Sequence, residues 1–275
     1  MTGPGTLDLI VRGIGLLGPG LPSWTDGAAR LRDPLTWASA PTVVPTPARL
    51  PATERRRAGT VVKASIVVAD EACAAAGLDP AQLATVFTSS TGDPLNCHLL
   101  CEALATADRL MSPTRFTNSV HNAAAGYWHI ATSSRAASTS LAAFDASFAA
   151  GLLEAAVQAA STGAPVLLVA CDVPYPEPLH AVRPVADNFA VALVIDVPGV
   201  SGTPGGIGLR VQHRADSEAP TPCETEALEA LRLGIPAARS LPLLSALARH
   251  SSEKSAATRV TLESLPGATL TLATG

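Results

Sequence analysis

The chain has 275 residues, of which 47% are hydrophobic and 15% charged, and its formal net charge at pH 7 is -4. Such apolar content excludes a disordered chain, and the length is sufficient for a large hydrophobic core. The acidic balance argues against nucleic acid as the main partner, because a duplex-binding surface needs a clustered excess of basic residues. The densest basic run, Arg55-Arg56-Arg57, is typical of a solvated face.

No secretory signal is expected, since the N-terminal residues have no basic segment ahead of an apolar stretch. The longest apolar uncharged run, 155–171, is broken by Gly163 and Pro165. A membrane span needs about 20 mostly apolar residues, so none is predicted. Cysteines without an export signal favour reduced thiols in a cytoplasmic protein.

The elements of the first part alternate between strands and helices. A strand is predicted over 7–17, and the prolines of 18–51 interrupt regular structure there. A helix is predicted over 53–76, with Thr53 as its N-cap and Gly77 as its end. Further strands are predicted at 84–90, 139–144, 165–171 and 189–197, and helices at 94–107, 119–133 and 145–161. The continuous apolar strand 165–171 indicates burial on both faces.

The C-terminal part has connectors at 199–206 and 215–225. A strand at 207–213, helices at about 223–233 and 239–250, and strands at 260–265 and 268–273 complete the prediction. Leu265-Pro266-Gly267 is consistent with a terminal hairpin. Strands that alternate with helices without hairpin signals indicate an α/β fold with a mostly parallel sheet between helices.

The familiar short motifs for metal and nucleotide sites are incomplete. Cys97 and Cys101 flank His98, but no second cluster completes four zinc ligands, so no metal site is predicted and the cysteines are interpreted as buried apolar residues. Gly13 and Gly15, like the glycines of 202–206, lack the context of a nucleotide-binding loop and are predicted to be turns.

The most informative segment is the predicted strand-to-helix junction at residue 145, because a helix N-terminus favours a nucleophile. Two stretches surround it: FTNSVHNAAAG at 116–126 and AAFDASFAAGLLEA at 142–155. Their order and spacing resemble the β-ketoacyl synthase family of thiolase-like condensing enzymes. In that resemblance Asn122-Ala-Ala-Ala-Gly126 matches the family's helix motif. Asp145 falls on the cysteine nucleophile, and Ala146 and Ser147 follow it.

The departures from the family pattern decide the predicted function. A carboxylate attacks weakly and would give an unstable mixed anhydride, so Asp145 is a poor substitute for the thiolate. The family's two catalytic histidines belong to its second half. Here His213 and His250 lie outside any comparable glycine-flanked motif. The resemblance therefore implies a thiolase-like layered fold with a shortened C-terminal half. Residues 1–200 would form a domain like the N-terminal half of a ketosynthase, and 201–275 would pack on the same core.

A condensing-enzyme-like chain without a nucleophile is similar to a chain length factor. The stretches FTNSVHNAAAGYW and DASFAAGLLEAA, with the run DVPYPEP at 172–178, suggest the subunits of aryl polyene (xanthomonadin-type) pathways. The resemblance implies a non-catalytic subunit that pairs with an active β-ketoacyl-ACP synthase and shapes its acyl tunnel in polyketide, aryl polyene or fatty-acid-like biosynthesis. It implies no cofactor and only an indirect relation to the acyl carrier protein.

In this hypothesis a set of residues between 116 and 148 forms the pocket and the subunit interface: Phe116, Asn118, His121, Asn122, Tyr127, Phe144, Ser147 and Phe148. Simpler interpretations stay open. Asp145 is also a normal helix-capping residue, and His121 a normal hydrogen-bonded structural residue. Two other functions remain: a stand-alone acyl-processing enzyme that uses Asp145 and His121, and a homodimer that holds an acyl carrier protein.

Overall fold

The computed structural model describes residues 5–199, 205–216, 218–250, 257–264 and 268–274. It contains one eight-stranded sheet with the strand order β3-β2-β4-β5-β1-β6-β8-β7. The strands are β1 (Thr6–Leu17), β2 (Ala84–Thr88), β3 (Ser138–Leu141), β4 (Val166–Asp172), β5 (Phe189–Asp196), β6 (Ile207–Arg214), β7 (Thr258–Glu263) and β8 (Thr269–Thr274). The helices are α1 (Trp24–Arg32), α2 (Ala52–Arg57), α3 (Thr60–Ala76), α4 (Pro94–Ala105), α5 (Pro113–Thr117), α6 (Ala123–Thr132), α7 (Ser147–Thr162), α8 (Leu179–Val182), α9 (Glu226–Gly234) and α10 (Leu241–His250).

The predicted α/β layered fold is confirmed, but the prediction of a mostly parallel sheet is wrong. Strand β2 is parallel to β3 and β4. The other pairings of the described strands are antiparallel. Parallel neighbours need a crossover of a dozen or more residues, usually a helix. Between β4 and β5 the chain instead has an irregular segment with the single short helix α8, and β5 returns antiparallel beside β4.

Helices cover both faces of the central strands, as predicted. Side chains of α7 and α10 pack with Leu168 and Leu193 on one face. Side chains of α3 and α6 pack with Leu167 and Val194 on the other. Strand β4 is buried along its whole length, which confirms the prediction from its continuous apolar run.

Two predictions near the N-terminus need correction. The proline-rich segment contains α1, whose N-cap Ser23 accepts a hydrogen bond from the Asp26 N–H. The helix predicted from 53 is divided at Ala58 and Gly59 into α2 and α3, so Thr53 lies inside α2 and caps nothing. The predicted end of α3 is confirmed, because Gly77 has the left-handed φ of 65°.

The prediction that Gly13 and Gly15 form turns is wrong, because both residues are part of β1. A Cβ on Gly15 would lie 1.9 Å from the Val68 carbonyl oxygen, and one on Gly13 would lie 2.0 Å from that of Ala72. These glycines let the backbone of α3 contact the sheet directly. Of the predicted glycine turn at 202–206, residues 202–204 lie outside the described part of the chain.

Strands β6, β8 and β7 extend the same sheet beyond β1. The antiparallel pair of β7 and β8 agrees with the predicted terminal hairpin, although its link at 265–267 lies outside the described residues. Leucines of α9 and α10 belong to the same core cluster as those of β1 and α7. The division at residue 200 stays a prediction, and residue 200 itself is not described.

The cysteines do not all have the predicted buried position. Cys73 and Cys171 are buried, whereas Cys97 and Cys101 are exposed on α4. Burial raises the pKa of Cys73 to about 12, which makes that thiol a weak nucleophile. Within the described ranges, no helix combines the length and apolar character needed to cross a membrane.

Candidate functional site

The candidate site is the turn between β3 and α7. Residues Phe144–Ala146 form a 3-10 turn there. The prediction that the strand runs straight into the helix is therefore wrong. Phe144 has a φ of 52°, in the left-handed region that is strained for a residue with a bulky side chain. The hydroxyl of buried Ser147 fixes the turn, because it accepts a hydrogen bond from the Ala143 N–H at 3.0 Å and donates one to the Phe144 carbonyl at 2.7 Å.

Asp145 is held by two arginines. Its Oδ1 lies 2.7 Å from Nη2 of Arg183 and its Oδ2 lies 3.1 Å from Nη2 of Arg239. The N-cap of α7 is Ala146, and no side chain caps it. The interpretation of Asp145 as a helix-capping residue is therefore wrong: its carboxylate forms a bridge between two guanidinium groups.

The two arginines connect the turn to other elements. The Arg183 guanidinium stacks on the Phe144 ring at 3.7 Å, and its Nε donates to the Tyr175 hydroxyl at 3.2 Å. Burial lowers the pKa of Arg183, but its hydrogen bonds with Asp145 and Tyr175 outweigh this and raise it. Arg239 also forms an ion pair with Glu263 of β7. We call Phe144, Asp145, Arg183 and Arg239 the arginine-bridged turn.

The predicted residue Phe148 does not lie at an open site. It is 1% exposed and belongs to the main hydrophobic core beneath the turn. The Thr88 hydroxyl donates to the Ser147 carbonyl at 2.8 Å, which anchors the start of α7 to the end of β2. Phe144, in contrast, is 63% exposed.

A buried carboxylate, Asp172, occupies the end of β4. Its Oδ1 accepts hydrogen bonds from the backbone N–H and the hydroxyl of Ser90, both at 2.8 Å, and from the Ser89 hydroxyl at 3.1 Å. Burial raises the pKa of this carboxyl group, and hydrogen bonds from Ser90, Ser89 and the Ala237 backbone oppose that rise. Ala237 lies in the 3-10 turn Pro236–Ser240 that also contains Arg239.

His121 and Asn122 line a separate open cleft of about 480 Å³ between α6 and β3. The other residues around it are Ala125, Gly126, His129, Ser138 and Ser140. Nε2 of His121 lies 3.3 Å from the Ser89 carbonyl oxygen, so the histidine has a structural contact as well as a place in the cleft. No hydrogen bond or ion pair joins His121 to Asp145 within the described residues.

The remaining predicted residues have structural surroundings. Asn118 is buried, donates to the Arg57 carbonyl at 2.9 Å, and accepts from the Tyr127 hydroxyl at 3.0 Å. Burial raises the pKa of the Tyr127 hydroxyl. Phe116 is 62% exposed on α5.

The structure thus brings together Phe144, Asp145 and Ser147, and it separates them from the cleft of His121 and Asn122. Sequence reasoning missed Arg183 and Arg239, which follow Asp145 by dozens of residues. Isolated arginines give no local signal. In the sequence, Tyr175 is part of the proline-rich run at 172–178, which gives no sign of an arginine partner. Among the described residues, no group of three or more His, Cys, Asp or Glu side chains converges as a metal site.

Solved structures of ketosynthase complexes have the same fold. The chain is similar to a chain of "Ketosynthase (ApeO) in Complex with its Chain Length Factor (ApeC)" from Xenorhabdus doucetiae, with 22% identity and a TM-score of 0.71, over 97% of this chain and 99% of that one. A chain of the ishigamide ketosynthase/chain length factor matches with 14% identity and a TM-score of 0.72, over 98% and 99%. A chain of AntDE:AntF, a type II polyketide acyl carrier protein in complex with its ketosynthase, matches with 13% identity and a TM-score of 0.76, over 98% and 99%.

These coverages mean that the matched chains are about as long as this one. No curated protein matches the sequence. The family model for the N-terminal domain of β-ketoacyl synthases matches residues 28–255, which include the arginine-bridged turn and most of the C-terminal part. With the thiolase-like fold, this match establishes that the chain belongs to the β-ketoacyl synthase family, N-terminal domain.

Proposed function

We propose that this chain is a non-catalytic ketosynthase-like subunit, a chain length factor. It would pair with an active β-ketoacyl-ACP synthase and shape that enzyme's acyl tunnel in aryl polyene or related polyketide biosynthesis. The observation that carries this proposal is the arginine-bridged turn. At the position that the resemblance aligns with the family's cysteine nucleophile, this chain has Asp145, and its carboxylate is paired to two arginines.

The chemistry of the turn opposes covalent catalysis. Acyl transfer to an enzyme requires a nucleophile with an adjacent base or a lowered pKa. The Asp145 carboxylate instead forms ion pairs with Arg183 and Arg239, which makes it a weaker nucleophile. Phe144 has no nucleophilic atom. The strained φ of Phe144 marks the sharpest point of the turn, and the family resemblance aligns the nucleophile with the next residue, Asp145. Neither is a thiol.

The two edges of the sheet differ, and this difference supports pairing with another chain at β3. The β7 edge forms hydrogen bonds within this chain, whereas the β3 edge has no described partner strand. At the β7 edge, Thr221 donates its N–H to the Thr261 carbonyl, and its hydroxyl accepts from the Thr261 N–H. No described strand pairs with the outer edge of β3. An unpaired edge strand is a ready template for another strand. In this proposal the synthase subunit adds its own strand there, next to the cleft of His121.

The first experiment is co-expression of this chain with a ketosynthase encoded beside its gene, followed by size-exclusion chromatography with light scattering. We expect a one-to-one complex, and condensing activity that depends on both chains. A stable homodimer that does not bind the synthase would contradict the proposal. Turnover or covalent acyl loading by this chain alone would favour the stand-alone enzyme of Asp145 and His121.

The proposal assigns Phe116 and Phe144 to the shared surface, because both aromatic side chains are largely exposed. Replacing either with alanine should lengthen the products of the complex or weaken its association. Val182, which is 80% exposed outside residues 116–148, provides the control V182A. The assignment would be contradicted if V182A changed product length or association as much as F116A and F144A do. It would also be contradicted if none of these three variants changed either quantity.

An acyl-carrier-binding homodimer is the remaining alternative. It predicts a complex with the carrier protein in the absence of any ketosynthase. The same chromatography, with carrier protein in place of synthase, distinguishes the two functions.

A further inference from the structure

Two cysteine thiols lie side by side on the surface of α4. Cys97 and Cys101 are four residues apart in this 12-residue helix, and both are exposed. Residues at positions i and i+4 of a helix are neighbours on the same face. The proposed function makes no use of these thiols. We call Cys97 and Cys101 the α4 thiol pair.

The two thiols interact with each other. Partial burial raises the pKa of the Cys97 thiol, and the charge of Cys101 and a hydrogen bond with it raise that pKa further. A raised pKa disfavours the thiolate, which is the form that oxidants attack. A cation bound between the two sulfur atoms would remove the repulsion between two thiolates, because it supplies the opposite charge.

The spacing of the α4 thiol pair suits a bridging ion better than a disulfide. In a helix the Cβ atoms of residues i and i+4 lie about 5–6 Å apart. A disulfide needs about 3.5–4.5 Å between its two Cβ atoms, so closing one here would distort α4. A metal ion between the sulfur atoms puts two metal–sulfur bonds in place of one sulfur–sulfur bond. It therefore spans the wider gap while the helix stays intact.

The surroundings of the pair indicate which kind of ion it would bind. The adjacent residue His98 is paired within the helix, since its Nε2 lies 3.3 Å from Oε1 of Glu102. In the described ranges, no His, Cys, Asp or Glu side chain joins the two thiols to make a three-ligand group. Structural zinc takes four ligands, so two thiols do not suffice for it. Thiolates select soft ions such as Cu(I), for which two sulfur ligands are enough.

We propose that the α4 thiol pair binds one Cu(I) ion between its two sulfur atoms. Each thiol releases one proton as its copper–sulfur bond forms, and no electron is transferred. The other cysteines are less suited, because Cys73 and Cys171 are buried and burial raises the pKa of Cys223 to about 12. This site is independent of the proposed chain length factor function, which would stand if copper did not bind.

The test is an anaerobic titration in which the full chain competes with bicinchoninate for Cu(I), followed by the absorbance of the copper–bicinchoninate complex. We expect one Cu(I) per chain. Cys97→Ser and Cys101→Ser should each weaken binding about 100-fold or more, because the second thiol on the same helix acts at a high effective concentration. Each single variant should lose as much affinity as the double variant, since either change destroys the pair.

The control is Cys223→Ser, at a partly buried cysteine outside α4, which should bind Cu(I) like the wild type. The proposal is wrong if C223S weakens binding as much as C97S does, or if the wild-type chain takes no copper from bicinchoninate. It is also wrong if the losses in C97S and C101S merely add up to that of the double variant, because the two thiols would then bind copper separately.

X-ray absorption of the copper-loaded chain gives a second readout that a merely structural role of the cysteines would not affect. We expect two sulfur neighbours around the copper ion. Three or more ligands, or nitrogen and oxygen neighbours, would contradict the two-thiol site. Circular dichroism of each variant establishes that the fold is intact.

Discussion

At the scale of single residues, the molecule uses two carboxylates in opposite ways. Asp145 is partly exposed and paired to two arginines, whereas Asp172 is buried and accepts hydrogen bonds from neutral donors. A buried carboxyl group without a cationic partner has an elevated pKa, since burial disfavours its charged form. This difference gives Asp172 a measurable effect on stability.

We expect Asp172→Asn to change how stability depends on pH. The pKa of Asp172 is raised in the folded protein, so the folded state keeps this proton to higher pH than the unfolded state does. Its contribution to stability is therefore lost as pH rises from about 4, the unfolded value, through the folded pKa. The variant should lose less stability than the wild type over this interval, as measured by urea unfolding at several pH values.

The matched control for that experiment is Asp79→Asn. Asp79 is exposed and likewise accepts a backbone hydrogen bond, from Ala81. Its variant measures the effect of replacing an exposed carboxyl group that accepts the same kind of hydrogen bond. Identical pH profiles for D172N and the wild type would contradict the assignment of a raised pKa to Asp172.

At the scale of elements, β1 and α3 lie in close backbone contact. It depends on glycine, because a Cβ on Gly15 would lie 1.9 Å from a backbone oxygen of α3. Backbone cannot move aside as a flexible side chain can. We therefore expect Gly15→Ala to destabilise the fold by about 1–3 kcal/mol or more, as overpacking does.

The control is Gly126→Ala in α6, where an added Cβ meets nothing within 4 Å. There alanine should stabilise the helix by about 0.5–1 kcal/mol. Thermal and urea unfolding of both variants measure the two effects. Equal effects of G15A and G126A would show that the close approach of α3 to β1 does not constrain the fold.

The edge strand β3 gives a second prediction at this scale. The carbonyl groups of Ala137 and Leu141 accept hydrogen bonds from the β2 segment, so the alternation of the strand directs the N–H groups of Ser138 and Ser140 to the free edge. Ser140→Pro removes one outward N–H group without removing a hydrogen bond to β2. We expect association with the synthase to weaken at least about tenfold, with the fold preserved.

Ser140→Ala keeps the N–H group and serves as the control. Affinity is measured by calorimetry or surface plasmon resonance, and the fold by circular dichroism. Unchanged affinity of S140P would place the partner elsewhere on the molecule.

At the scale of the whole molecule, the C-terminal part completes the core of the N-terminal part. Strand β6 pairs with β1, and Leu228, Leu241 and Leu244 belong to the same buried cluster as Leu16 and Leu152. The match to the family model also crosses the predicted division at residue 200.

We therefore expect a chain ending at residue 200 not to fold cooperatively by itself. Truncation exposes the apolar face that α9 and α10 cover, and it leaves one edge of β1 unpaired. Bound hydrophobic dye and the loss of a cooperative thermal transition would reveal this. A sharp transition in the truncated chain would instead establish the first 200 residues as an independent domain.

Local sequence determined the buried strands, one helix end and the family of this protein. Apolar runs specified the buried strands β4 and β5, and Gly77 specified the end of α3, because burial and left-handed backbone leave clear signs in neighbouring residues. The motif around Asn122 and the order of elements indicated the β-ketoacyl synthase family, which the family match bears out.

Tertiary structure alone decided the direction of β5, the role of Gly13 and Gly15, and the surroundings of Asp145. Strand direction depends on the path of the connecting segment, which leaves no periodicity in the strand itself. The need for glycine in β1 comes from a helix that approaches from elsewhere in the chain. Arg183 and Arg239 reach Asp145 only because the chain brings 3-10 turns and loops together across the sheet, and pairing between residues far apart in sequence has no local signature.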